Sequence, residues 1–373
     1  MLRKMKDKLA FDVVVPSGRP DIKRLNTIAS LKQPIGIKVN FIFVIDAPDF
    51  PEEDLGSLVN QQHITIIKNQ KNLGAHISRN KGFEAGRGEY VLFIDDDTEQ
   101  PQDLLEHYAT AIKSEPDSPG FIGPVYFPPS INSHTNAAVA SDILTFWDIA
   151  SYSPKLAWGI TANLMVKREA VGSIRFSDQF PKKGGGEDVD FCLRIVEKSG
   201  SWFTSVPAAK IVHPWWNEGQ SQYRRFARWA YGDSSLPKRH SKYKFRNAPN
   251  FIETALIFSV ISALAFMAFK TSMVWLFVWL IAAFCSELLM DGLRMRLAGK
   301  NQSMIVSTQA TLIRLSNDIG RLLGHIKHLR IQGLTERFDY FMTGEHINYE
   351  RRVASLKFSA YSILALILFL FFI

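Results

Sequence analysis

Cysteine is almost missing from this chain: Cys192 and Cys285 are the only two in 373 residues. They lack metal-ligand spacing, and one lies in the expected soluble part and the other in an apolar segment. A disulfide scaffold and a cysteine zinc site are both excluded, and a reducing compartment is expected. Met1–Ala10 is basic and has no apolar core, which excludes a signal peptide and predicts that the following domain stays in the cytoplasm. Repeats and low-complexity tracts are absent. Acids are outnumbered 36 to 44, giving a net charge of +8. The excess gathers at Lys238, Arg239, Lys242, Lys244 and Arg246, and again between Arg294 and Lys357. A nucleic-acid binder would carry its charge on a folded domain or tail. Here it flanks apolar segments, as at the cytoplasmic face of a bilayer, so no nucleic-acid partner is expected.

What is present begins with short β-branched runs: Phe11–Pro16, Val39–Ile45, His63–Ile67 and Tyr90–Ile94. Such unbroken apolar runs suit strands buried on both faces. Helical stretches at Asp21–Leu31 and Ala75–Ala85 alternate with them, predicting an α/β domain with a doubly wound, mainly parallel sheet. Ligands in such sheets sit beyond the carboxyl ends of the strands. Ser17, Asp46 and Asp95–Asp97 all follow strand ends. Glu115–Ser133, rich in Pro, Gly and Ser, is expected to be connection rather than core.

Beyond residue 250 the composition shifts. Phe251–Phe269, Ser272–Leu289 and Phe358–Ile373 are apolar blocks near the short end of the roughly 17–25 residues that a spanning helix needs. The competing reading is a buried helical hairpin, but no soluble stretch of matching size is there to cover it. Between them Leu312, Leu315, Ile319, Leu322, Ile326 and Leu329 recur at three–four spacing, interleaved with Arg314, Asp318, Arg321 and His325. That pattern predicts an amphipathic helix in the headgroup region or on the catalytic domain. The expected organisation is a domain over 1–235, a basic linker over 236–250, a membrane hairpin over 251–291, a cytoplasmic segment over 292–357 and a membrane helix over 358–373. The Lys270 turn falls outside the cell.

Asp95-Asp96-Asp97 is the strongest chemical signal. Three adjacent acids at a strand end repel one another unless a cation sits with them. Magnesium typically takes one or two carboxylates plus substrate phosphates. A polar turn before a helix is the alternative. Upstream stand Asn72-Leu73-Gly74 and Arg79-Asn80-Lys81-Gly82, then Gly88-Glu89-Tyr90. Together with Val13–Pro20 (VVVPSGRP) and the acid triplet, this order resembles the family 2 glycosyltransferases of GT-A fold, over roughly residues 11–235.

The resemblance implies an inverting, metal-dependent sugar transfer from a nucleotide-diphosphate sugar, a UDP-sugar favoured, to a membrane lipid, polyprenyl phosphate or surface glycan. It implies donor contacts from Pro16, Ser17, Asp46, Arg79, Asp95 and Asp96, and a Mg2+ or Mn2+ ion on Asp95 and Asp97. Gly159–Arg168 looks like an acceptor-side segment, with Trp158 and Asn163 facing the acceptor. Gly184–Arg194 is similar to a G-E-D-x-D helix start, in which Asp188 is the general base and Glu187 the next candidate; Asp190 is assigned to helix structure. His213 matches a further metal or phosphate ligand, though a lone histidine is as often structural. Gln222–Trp229 resembles the Q-x-x-R-W signature of processive synthases, with Arg228 toward the diphosphate and Trp229 toward the acceptor. Arg225 departs from that signature and puts processivity in doubt. A surface-lying basic helix is the plain alternative there, and a non-catalytic membrane scaffold is the rival for the whole chain.

Overall fold

The computed structural model describes residues 9–59, 61–269 and 273–372; the expected Lys270 turn lies outside them. The strands in chain order are β1 (Ala10–Ser17), β2 (Lys38–Ile45), β3 (Ile64–Lys68), β4 (Tyr90–Ile94), β5 (Gly120–Ile122), β6 (Val125–Tyr126), β7 (Lys155–Leu156), β8 (Asn163–Lys167), β9 (Phe203–Ser205), β10 (Ile211–Val212), β11 (Lys244–Arg246) and β12 (Glu336–Phe338). Helices of eight or more residues are α1 (Ile22–Ala29), α2 (Ala75–Ala85), α3 (Leu104–Ser114), α4 (Ser133–Ala140), α5 (Glu187–Ser199), α6 (Tyr223–Asp233), α7 (Phe251–Phe269), α8 (Val274–Leu297), α9 (Met304–Lys327) and α10 (Ile347–Phe372). The chain divides into two compact units. One comprises 1–129, 145–183 and 187–218; the other comprises 130–144, 184–186 and 219–373.

The first unit is built on a sheet of order β3-β2-β1-β4-β8-β5-β9-β7. The four strands expected from the sequence lie side by side and parallel, with Val15 opposite Phe43 and Val14 opposite Phe93. β8 runs against both its neighbours, β4 and β5. Alternation explains why the strand runs are continuously apolar. Val13, Val15, Phe41, Phe43, Leu92 and Ile94 pack with Leu25, Leu104, Leu105 and Tyr108 from α1 and α3 on one face. On the other, α2 lies so close that a Cβ on Gly82 would come 2.3 Å from Val14 Cγ1. Residues 120–122, expected to be connection, are instead the buried strand β5. Pro119 and Pro124 bracket it, and three residues are too few to show a period.

The second unit is helical, with a small antiparallel pairing of β11 and β12, so part of the expected 236–250 linker is folded. α9 packs on α6 through small residues: a Cβ on Gly320 would meet the Ala227 carbonyl oxygen at 1.9 Å. Its apolar stripe is split rather than buried whole. Leu315 and Leu322 are buried, whereas Ile319 and Ile326 are exposed, and Leu329 lies past the helix end. The interleaved charges turn inward as ion pairs: Glu253 holds Arg321 at 3.1 Å and Arg337 at 2.6 Å. Among the described residues three helices are long and apolar enough to cross a membrane: Phe251–Ala268, Val274–Leu297 and Ile347–Leu370, with mean hydropathies of 2.1, 1.8 and 2.0.

Candidate active site

The carboxyl ends of β2 and β4 carry acidic residues and that of β1 carries Ser17, and each has a distinct set of partners. Asp46 is buried and fully engaged: its carboxylate accepts from Asn69 Nδ2 (2.8 Å), Leu73 N (2.7 Å) and Gly74 N (2.8 Å). Asn72 Nδ2 donates to the Asp46 carbonyl at 2.8 Å. These bonds shape the Asn72–Gly74 turn that starts α2, where Gly74 takes a φ of +89° that favours glycine. Asn80 exchanges two bonds with the Phe176 backbone.

A second clamp was not evident from the sequence. Asp12, buried in β1, accepts from Gly88 N and from Arg168 Nη2 at 2.7 Å. A Cβ on Gly86 would strike Asp12 Oδ2 at 2.2 Å. Arg168 also donates to the Gly88 and Phe83 carbonyls. This pair ties down the loop that feeds β4. Its partners are 156 residues apart, so no local pattern reveals it.

The triplet itself is polarised. Arg79, buried on α2, donates to Asp95 Oδ1 at 2.6 Å; among the described residues it is the one hydrogen-bond donor to that carboxylate. Asp96 accepts from the Ser17 hydroxyl. Burial pushes the Asp96 carboxyl up to about 7, against the Ser17 bond, with Asp97 and Asp95 adding to the rise. Asp97 is raised too, first by burial, and its Oδ1 lies 3.4 Å from His213 Nε2. His213 follows β10, which pairs with β6. One ligand atom each from Asp95, Asp97 and His213 falls within 4.8 Å of the others. Two hard oxygens and one imidazole fit a divalent ion such as Mg2+ or Mn2+.

Asp188, second residue of α5, completes the group. Its carboxylate accepts from Val189 N at 2.9 Å. Burial raises it to about 6; the Arg79 charge opposes the shift and the Asp95 charge adds to it.

Residues 25–171 match the family model for Glycosyl transferase family 2. The chain carries a family 2 glycosyltransferase domain. An uncharacterized glycosyltransferase of Methanocaldococcus jannaschii is 24% identical over 199 residues, 52% of this chain and 67% of that protein. The amylovoran biosynthesis glycosyltransferase AmsB of Erwinia amylovora is 22% identical over 211 residues, 54% and 68% of the two chains. The mannosyltransferase PcManGT of Pyrobaculum calidifontis, solved with GDP-Man and Mn2+, is 13% identical with a TM-score of 0.48, over 86% of this chain and 87% of that one.

Within this glycosyltransferase the remaining expected site residues scatter. Glu187 opens α5, and the buried Asp190 is paired with Arg194 at 2.8 Å, a structural use. Pro16 and Ser17 end β1. Trp158 is buried against Phe146. Asn163 is wholly buried and spent: it accepts from the Tyr108 hydroxyl and donates to the Ala209 and Pro124 carbonyls. Its amide therefore joins α3 to the segments that precede β6 and β10 and is spent on them rather than on an acceptor. Arg228 and Trp229 lie on α6 in the second unit, the first exposed and the second half-buried.

Proposed function

We propose that the glycosyltransferase inverts the anomeric carbon of a nucleotide-diphosphate sugar, in a metal-dependent transfer to an acceptor presented at a membrane. The observation that supports this most is the convergence of Asp95, Asp97 and His213 within 4.8 Å, with Arg79 and Asp188 coupled to the same acids. Asp95, Asp97 and His213 would hold the divalent ion, which when bound supplies Lewis-acid neutralisation of the departing diphosphate. Arg79 donates to Asp95 at 2.6 Å and holds that carboxylate in place. Pro16, Ser17 and Asp96 line the donor side, and Asp46 serves it by shaping the Asn72–Gly74 turn.

Asp188 takes the acceptor hydroxyl proton while that oxygen attacks the anomeric carbon. The bond from that carbon to the diphosphate oxygen breaks, and its electron pair leaves with the nucleoside diphosphate. A single displacement of this kind inverts. The three apolar helices anchor the chain, and the Lys/Arg excess between Arg294 and Lys357 sets the catalytic domain on the cytoplasmic side.

The test incubates the membrane-embedded enzyme with a panel of nucleotide sugars and reads released nucleoside diphosphate, with and without chelator. Release with one donor class that chelator abolishes is expected. Silence with every donor sinks the transferase reading, and indifference to chelator sinks the metal.

A further inference from the structure

An aromatic cluster surrounds His213 that neither the motif pattern nor the reaction just described accounts for. The pairing of β6 with β10 sets Tyr126 opposite Val212, and the His213 N–H donates to the Tyr126 carbonyl at 2.8 Å. The next side chains, Phe127 and His213, consequently lie side by side with ring centroids 5.8 Å apart. Trp147 and Trp216 each stand 5.3 Å from the His213 ring. Phe127 lies 4.8 Å from Trp147 and 5.0 Å from Trp216.

The cluster has a floor and an open side. Trp215 is buried, stacks on Phe127 at 4.7 Å and donates from Nε1 to the Pro128 carbonyl. Phe127, Trp147 and Trp216 are only half-buried. Immediately after Trp216, Asn217 and Glu218 adopt φ values of +49° and +54°. Two successive non-glycine residues in that region persist only where the surroundings hold them, a feature that clusters at ligand sites. The rim is polar. The hydroxyls of Tyr126 and Ser151 bond at 2.6 Å, and Asp148, next to Trp147, is half-buried with its carboxyl pushed up by burial.

We propose that Phe127, Trp147 and Trp216 form a stacking platform for a pyranose ring of the acceptor, so that the acceptor ends in a sugar rather than in a bare polyprenyl phosphate. The inference rests on the transferase reading. The C–H faces of a pyranose stack on aromatic rings while its hydroxyls reach a polar rim, whereas an alkyl chain needs apolar walls throughout. His213 joins the platform to the ligand cluster through Asp97, 3.4 Å away, which sets the platform beside the proposed catalytic residues.

Two measurements on the full-length protein in nanodiscs decide it. Saturation-transfer NMR with millimolar methyl pyranosides, and separately with farnesyl phosphate, needs no donor. Turnover is read as acceptor-free donor hydrolysis and as transfer. Trp147→Leu and Trp216→Leu should abolish saturation of the pyranoside ring protons and cut transfer to a glycan acceptor about tenfold more than they cut donor hydrolysis. Trp216→Phe should restore most of both. Saturation of farnesyl phosphate alone, or unaltered pyranoside signals in both leucine variants, overturns the platform. Absent hydrolysis with every donor counts against the transferase reading only, because the NMR arm still decides the platform.

Discussion

Asp188→Asn removes one basic oxygen and little else, which makes it the sharpest test of the mechanism. Asparagine keeps the size of the side chain, and its carbonyl still accepts the Val189 N–H bond now made at 2.9 Å, so α5 should start as before. Loss of a general base costs about 10²–10⁴ in rate, and a hundredfold loss corresponds to about 2.7 kcal/mol of transition-state stabilisation. The pH profile gives a second readout. Burial lifts the Asp188 carboxyl to about 6, over the opposing Arg79 charge. Its basic form is the ionised one, so activity should be full above about 6 and fall as pH drops through that value. The asparagine variant should lose the part of that limb that Asp188 sets, while Asp96, raised to about 7 by burial, titrates in both proteins. Nucleoside diphosphate release coupled to acceptor labelling measures both effects, and equilibrium binding of nucleotide should be near normal. Transfer within threefold of wild type, or an unchanged acid limb, would remove Asp188 from the reaction and move the assignment to Glu187.

Asp97→Ala should abolish donor turnover while circular dichroism and membrane extraction stay normal; full activity in excess chelator contradicts the metal outright. Gly320→Val places side-chain atoms where even a Cβ meets the Ala227 carbonyl at 1.9 Å, and overpacking of this kind costs about 1–3 kcal/mol or more. Thermal melts in detergent should show a clear drop, whereas Gly292→Ala, inside α8 with open space around it, should hold or slightly raise the midpoint. Ser303→Cys should react with impermeant maleimide only after the cells are opened; labelling of intact cells would reverse the topology.

How much of this was legible in the sequence depended on the range of the interaction. β4 and α2 have the bounds that their apolar runs and flanking glycines mark, because local composition and burial on both sheet faces agree there. β5 was lost for the opposite reason: Gly120–Ile122 is core only because β8 and β9 bracket it. Hydropathy located the lipid-compatible part of α10 at Phe358, but the helix starts at Ile347, since Glu350, Arg351 and Arg352 are good helix formers whatever their polarity. The α9 stripe misled because its close contact is made by glycines, which carry no hydropathy signal. Phe127, Trp147 and Trp216 come from three separate segments, and only the β6–β10 pairing and the turn after His213 gather them.

The motif residues themselves divide by how their polar capacity is used, and that division separates scaffold from chemistry better than residue type does. Asp46 and Asp12 are carboxylates at or near strand ends, as Asp95 is, yet Asp46 accepts three bonds from neighbouring turns and Asp12 is locked to Arg168 and Gly88. Asn80 and Asn163 are likewise consumed by backbone groups. A buried polar group whose bonds are all made internally gains nothing from a ligand and loses much if disturbed. Among the described residues Asp95 accepts from one side-chain donor, Arg79. The Asp97 carboxylate lies 3.4 Å from the His213 imidazole, and that of Asp188 accepts the Val189 N–H. Among the described residues these three carboxylates keep acceptor capacity that their neighbours do not fill, which is the condition that a cation or a proton would relieve.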